Sequence, residues 1–207
     1  MKTNQQSIDS IAAIIIAAGA SSRFGSPKQL LIWEKDNLLN TLIKTTSDAG
    51  LNPIMVVLGC HAIKIEQSIL DKSVKVIFNQ DWEKGQSTSV KAGVQALVEA
   101  YPNVLGAFFL PVDQPQTPVE LLQKIKEKAY KDAQIVLPLI RGQKSSPVYF
   151  SKRCFDKLRQ ITGDQGGRAI MPHFEVETVE WADERQHLDI DRPEDYIRLR
   201  QLYGIHE

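Results

Sequence analysis

Residues 11–28 read Ile11-Ala12-Ala13-Ile14-Ile15-Ile16-Ala17-Ala18-Gly19-Ala20-Ser21-Ser22-Arg23-Phe24-Gly25-Ser26-Pro27-Lys28. The apolar run Ile11 to Ile16 has the length and composition of a buried strand, and it feeds directly into a loop of small residues carrying two cations. Gly19 and Gly25 are expected to allow turns that other residues resist, so that backbone N–H groups can approach an anion closely. Arg23 and Lys28 add full positive charge. The stretch therefore predicts a phosphate cradle at the end of a strand. A plain glycine turn with solvated charges is the alternative. Neither common phosphate motif fits. Gly19 and Gly25 are one residue too far apart for Gly-x-x-x-x-Gly-Lys-Ser/Thr, Lys28 does not follow Gly25, and there is no Gly-x-Gly-x-x-Gly turn.

Working outward, short apolar runs recur at Ile11 to Ala17, Ile54 to Leu58, Val74 to Phe78, Ala107 to Leu110 and Ile135 to Leu139, with helix-period segments between them. Such alternation predicts an α/β fold with a mostly parallel sheet covered by helices. Leu38, Leu42, Ile43 and Thr46 share one helical face, as do Val90, Val94, Leu97 and Val98. Pro118 with Glu120 opens a helix towards Ala129, and Pro193 opens a last one ending near Tyr203. Ligands in such sheets bind beyond the carboxyl ends of the strands, so the loops there should converge on one site.

The 207 residues, 43% of them hydrophobic, suffice for one sizeable core. The division expected is a polar N-terminal extension over residues 1–10 and a single domain over 11–207. Lys plus Arg equal Asp plus Glu at 25 each, so no global field favours nucleic acid or an anionic membrane. Two cysteines, Cys60 and Cys154, are too few for a disulfide scaffold or a Cys-rich zinc site, and a reduced, cytoplasmic protein is expected. The apolar run at 11–18 is too short to span a bilayer, and it follows a polar stretch rather than a charged signal region.

Four further segments could carry chemistry. Asp113, flanked by Pro111 and Pro115 after the fourth run, is a rigidly held carboxylate suited to magnesium, though it could equally cap the following helix. Asp189 and Asp191 in Asp189-Ile190-Asp191-Arg192-Pro193 would share one side of an extended segment, and Asp191 could instead be the N-cap of the last helix. Gly85-Gln86-Ser87-Thr88-Ser89 precedes a helix whose first turn can offer N–H groups and hydroxyls to a base, ribose or phosphate. Gly163-Asp164-Gln165-Gly166-Gly167-Arg168 is glycine-rich with one cation. His61, His173, His187 and His206 show no zinc spacing and no assignable triad.

The pattern Ala-Ala-Gly-x-Ser-x-Arg-x-Gly-x-x-Lys resembles the signature loop of nucleotidyltransferases that join a nucleoside triphosphate to a phosphorylated acceptor. Together with Asn79-x-Asp81-Trp82-x-x-Gly85-x-Ser87-x-Ser89, Gly163-Asp164-x-Gly166-x-Arg168 and Asp189-Ile190-Asp191-x-Pro193-Glu194-Asp195, it makes the chain similar to the molybdenum cofactor cytidylyltransferase group of the MobA-like family. The resemblance runs from Ile11 to Tyr203. It implies a Rossmann-like, three-layer nucleotidyltransferase fold and transfer of CMP from CTP to the phosphate of a molybdopterin-type cofactor, with Mg2+. In its terms Arg23 and Lys28 are catalytic, and Ala17, Ala18, Gly19, Gly25, Gly59, Gly85, Ser87 and Ser89 bind the nucleotide. Lys144, Ser146 and Arg168 face the acceptor, and Asp113 with Asp191 holds the metal, Asp189 being the substitute. A molybdenum enzyme or its chaperone is an implied partner. The opening Ala17-Ala18-Gly19 looks more like the pyrimidine-using relatives than the guanylyltransferase branch. One departure is that Gly142-Gln143-Lys144-Ser145-Ser146-Pro147 stands where the group often shows Gly-x-Arg-Gly-His-Pro. Two other readings stay open: a sugar or polyol phosphate acceptor, and a non-catalytic nucleotide- or cofactor-binding chaperone.

Overall fold

A computed structural model describes residues 10–206. Of the polar N-terminal stretch expected over 1–10, only Ser10 falls within the described residues. In chain order the elements are β1 (Ile11–Ala17), β2 (Ile32–Trp33), β3 (Asp36–Asn37), α1 (Leu38–Asp48), β4 (Ile54–Leu58), α2 (Ala62–Gln67), β5 (Lys75–Phe78) and α3 (Gln86–Ala100). There follow β6 (Gly106–Pro111), α4 (Val119–Ala129), β7 (Ile135–Ile140), β8 (Gln143–Lys144), β9 (Val148–Ser151), α5 (Phe155–Leu158), β10 (Val176–Glu180) and α6 (Pro193–Leu202).

The main sheet has the order β10-β7-β9-β6-β1-β4-β5, with β8 pairing β7. β1 lies between β4 and β6 and runs parallel to both. Every residue of β1 but Ile16 is buried, which is why it reads as a continuous apolar run rather than an alternating one. Its side chains still divide by the two-residue period. Ala13, Ile15 and Ala17 join the core layer under α1, α4 and α6, with Leu39, Leu42, Leu122, Ile125 and Leu199. Ala12 and Ile14 join the opposite layer with Val90, Val94 and Leu97 of α3 and Phe155 and Leu158 of α5. Helices therefore cover both faces, giving the three-layer, Rossmann-like arrangement the sequence predicts.

Besides the two-residue strands β2, β3 and β8, two longer strands were not foreseen. β9 enters between β6 and β7 and is antiparallel to both, and β10 adds a parallel edge beside β7. In β9 all four residues are buried, so period-2 alternation is absent, and in β10 only Val179 is fully buried, so the apolar signal is weak. The expected strand at Val74 begins one residue later, at Lys75, and the one at Ala107 extends over Gly106–Pro111. No helix among the described residues is long and apolar enough to cross a membrane.

Candidate active site

The loop leaving β1 is organised by a residue to which the sequence reading assigned nothing. Gln29 is 1% exposed and its Nε2 donates to the carbonyls of Ala17 (2.8 Å) and Gly19 (3.2 Å). Ser21 Oγ donates to Gln29 Oε1 and accepts from Lys28 N at 3.0 Å, closing the loop on itself. A buried amide that satisfies two carbonyls in this way holds the loop in one shape. A run of small residues hides this signal, because it lies in one long polar side chain beyond them. The left-handed turns fall at Ser21 (φ 53°) and Gly25 (φ 66°), whereas Gly19 takes no such conformation. At Gly19 a Cβ would meet nothing within 4 Å, so the expected turn is replaced by open clearance at a cavity wall.

Lys28 projects from this loop into a set of acidic groups. Its Nζ donates to Asp113 Oδ2 at 2.7 Å and to the Ile190 carbonyl at 2.9 Å, and lies 3.6 Å from Asp191 Oδ1. Arg23 Nη1, well exposed, is 3.8 Å from Asp191 Oδ2. The segment carrying Asp191 is irregular rather than a strand. It is tied across by Ile190 N donating to the Asp113 carbonyl at 3.0 Å, with the Ile190 side chain fully buried. Asp191 is not the N-cap of α6, since Arg192 takes that place and Asp195 Oδ2 accepts from both Asp191 N and Arg192 N. The Asp191 carboxylate is thereby left to the cationic cluster. Asp113 and Asp191 converge on one point of positive charge, which suits a divalent ion held by two carboxylates plus substrate phosphates. No group of three or more His, Cys, Asp or Glu side chains forms a metal cage among the described residues, so the remaining ligands of such an ion would come from substrate or water.

Two cavities meet at this cluster. The first, about 380 Å³, is lined by Ala17, Ala18, Gly19, Lys28, Gly85 and Ser89 along with Gln29, Trp82 and Asp164. The second, about 400 Å³, is lined by Ser146, Arg168, Asp189, Gln114, Phe109 and Phe150 among others. Ile16, Gln86, Pro111 and Asp113 border both. Arg168 Nη2 donates to Ser146 Oγ at 3.1 Å, which joins two of the three expected acceptor residues. Lys144, the third, is exposed on β8 and lies outside the lining. Partial burial, and then the Asp113 carboxylate, push the Asp189 carboxyl above its ordinary range. Burial lowers the Arg168 guanidinium, against a smaller opposing pull from Asp189.

The expected nucleotide loop divides. Asn79 Nδ2 donates to Thr88 Oγ1 and Ser89 Oγ at 2.8 and 2.9 Å, and Ser89 lines the first cavity. Ser87 is 1% exposed, is absent from the lining, and gives its N–H to the Gly163 carbonyl at 3.1 Å. Gly59 also stands behind the site: a Cβ there would lie 2.6 Å from Trp82 Cβ and 2.7 Å from the Ala18 carbonyl, so its absence lets Trp82 pack against the cradle. Gly25 is exposed at the outer turn of the cradle and outside the lining. Gln29, Gln86, Gln114 and Asp164 also line or shape the site; Gln86 and Asp164 lie in segments the sequence reading singled out but were given no role of their own, and Gln29 and Gln114 were given none. Glutamine carries no charge or spacing signature, and its placement depends on contacts between distant segments.

Comparison with known proteins shows the family and the fold. Residues 13–179 match the family described as the MobA-like NTP transferase domain. The chain is 31% identical over 200 residues to the molybdenum cofactor cytidylyltransferase of Escherichia coli, covering 95% of this chain and 98% of that protein. It is 27% identical to the purine catabolism protein PucB of Bacillus subtilis, over 92% of this chain and 96% of that one. Among solved structures it is similar to Rv0371c from Mycobacterium tuberculosis, with a TM-score of 0.83 and 26% identity over 93% and 97% of the two chains.

Proposed function

The chain belongs to the MobA-like NTP transferase family, and on that premise we propose that it transfers CMP from CTP to the phosphate of a molybdopterin-type acceptor, releasing pyrophosphate. The observation that carries this reading is the pair of cavities sharing Asp113 and Gln86, one walled by the cradle and one by Arg168 and Ser146. Two phosphorylated ligands seated in them would meet at the shared wall.

In this mechanism an oxygen of the acceptor phosphate attacks the α-phosphorus of CTP and the bond to the pyrophosphate oxygen breaks. The acceptor phosphate is already ionised near neutral pH, so no strong general base is required, and catalysis rests on positioning and charge neutralisation. Lys28 contacts the α-phosphate once it exchanges its carboxylate partners for phosphate oxygen. Arg23 and the loop around Gly19 hold the departing pyrophosphate. Mg2+, held by Asp113 and Asp191, would supply charge neutralisation across the reacting centre when bound. The preference for CTP rests on Ala17-Ala18-Gly19, and the acceptor on the relative from Escherichia coli. Both cysteines are free thiols, which supports a reduced, cytoplasmic setting.

A second reading keeps the reaction and takes a sugar or polyol phosphate as acceptor. It is favoured by Ser146, which lines the second cavity with a hydroxyl and lacks the ring of a His. Incubating each nucleoside triphosphate with molybdopterin carrying molybdenum, and separately with sugar phosphates, then following pyrophosphate release and product mass, tests both. A cytosine dinucleotide is expected; a guanine product or turnover on a sugar phosphate alone overturns the proposal.

A further inference from the structure

The proposed contact of Lys28 with phosphate does not explain where its ammonium stands. Nζ donates to Asp113 Oδ2 at 2.7 Å and to the Ile190 carbonyl at 2.9 Å, and pairs with Asp191 Oδ1 at 3.6 Å. The Lys28 side chain is only 13% exposed. Arg23 Nη1 lies 3.8 Å from Oδ2, the other carboxylate oxygen of Asp191. An ammonium has three N–H donors and no acceptor, so two of its three N–H groups are spent in this cluster. The two carboxylates assigned to a divalent ion are thereby matched by cations of the chain itself. Asp189, a third carboxylate beside them, accepts from Gln114 Nε2 at 2.7 Å. Whichever oxygens of Asp113 and Asp191 such an ion used, it would stand within a few ångströms of Nζ. Like charges that close, in a partly buried site, repel with little screening.

From this arrangement we infer that the Lys28 ammonium bars Asp113 and Asp191 to a divalent ion until nucleotide phosphate draws it away. The root of the side chain is pinned, because Lys28 N donates to Ser21 Oγ at 3.0 Å, so the exchange is a rotation of the stem about a fixed backbone. Lys28 also lines the first cavity, which places a triphosphate seated there within its reach. Metal and nucleotide are then mutually dependent ligands, since phosphate takes the cation that stands in the metal's way. Linkage makes the dependence reciprocal: the factor by which CTP raises metal affinity equals the factor by which metal raises CTP affinity. Two carboxylates without a built-in cation would instead take up the free ion before any nucleotide. The inference rests on the proposed metal role of Asp113 and Asp191, and adds that a lysine of the cradle controls it.

Metal binding to the full-length protein tests it without any turnover, using Mn2+ as the spectroscopic stand-in for Mg2+ and reading the loss of the free-ion electron paramagnetic resonance signal. Lys28→Met keeps the length of the stem and drops the charge. In the absence of nucleotide it is expected to bind Mn2+ about tenfold more tightly than wild type, within the usual range of coupling between two ligands. Lys28→Gln, neutral and able to donate to Asp113, should show the same gain and serves if the Met variant does not fold. Lys28→Met combined with Asp113→Asn should lose the gain, which ties it to this carboxylate pair. A gain that survives Asp113→Asn overturns the inference. The two readings fail separately. Mn2+ bound by wild type as tightly as by the neutral variants overturns the inference and leaves Asp113 and Asp191 as metal ligands, whereas Mn2+ bound by no variant, with CTP or without, overturns both.

Discussion

Lys28 joins groups that lie far apart in the chain, since one ammonium meets Asp113, Asp191 and the Ile190 carbonyl. Its side chain is 13% exposed and belongs to neither apolar layer, so Lys28→Ala should fold while leaving Asp113 and Asp191 without their shared cation. Turnover should drop by about 10²–10³, the range for removal of one preorganised charge donor. Near-native circular dichroism with unchanged pyrophosphate release would contradict the role given to it. Asp113→Asn keeps an oxygen but removes the neutralising charge, so the magnesium titration of activity should move to higher concentration with a fall in maximal rate. Superimposable titrations of wild type and variant would remove Asp113 from the metal site. At this scale Lys28, Arg23, Asp113 and Asp191 were legible because a charged residue beside a strand end stands out. Gln29 and Gln114 were not, for an amide has no such prior and acquires its partners only on folding.

Among the elements, the start of α3 depends on a backbone that tolerates no side chain. Gly85 has φ 106° and ψ 168°, a region open essentially to glycine, and a Cβ there would come within 2.4 Å of the Gly163 carbonyl. The same carbonyl receives the Ser87 N–H, so Gly85 and the 163–168 loop lock together at the rim of both cavities. Gly85→Ala should destabilise the protein by about 1–3 kcal/mol in denaturant unfolding and weaken CTP binding together with it. Full stability in that variant would mean the two loops are not tightly seated. A companion change, Gly59→Ala, drives a methyl group into both Trp82 and the Ala18 carbonyl and is expected to weaken CTP binding with little effect on acceptor binding, because Trp82 and Ala18 line only the first cavity. The helices α1, α3, α4 and α6 were readable from the spacing of apolar residues and from Pro118 and Pro193 at their starts. β9 and β10 escaped, since a fully buried four-residue strand and a nearly bare edge strand both lack alternation.

For the molecule as a whole, a ligand seated against loops from β1, β6, α3 and the 188–191 segment ties together parts that otherwise meet only through the sheet. Binding to the folded state alone stabilises by mass action, so CTP with Mg2+ at about 100 times its dissociation constant should add about 2.7 kcal/mol and raise Tm with concentration. The rise should be largely lost in Lys28→Ala and kept in Asp189→Asn; a concentration-independent Tm in wild type would argue against nucleotide binding at this site. The sequence by itself determined the layered α/β class, the parallel centre of the sheet and the placing of a cation-bearing loop after β1. Those follow from local rules, namely strand and helix periods and glycines and cations next to one another along the chain. Only the tertiary structure decided that Asp191 and not Asp189 meets Lys28, that Gly59 and Ser87 serve packing, and that Arg168 reaches Ser146 while Lys144 stays outside. These outcomes hang on pairings across 22 to 163 residues of chain. They are set by which buried polar groups must find partners once the sheet has closed, a constraint that exists only when all the strands are in place.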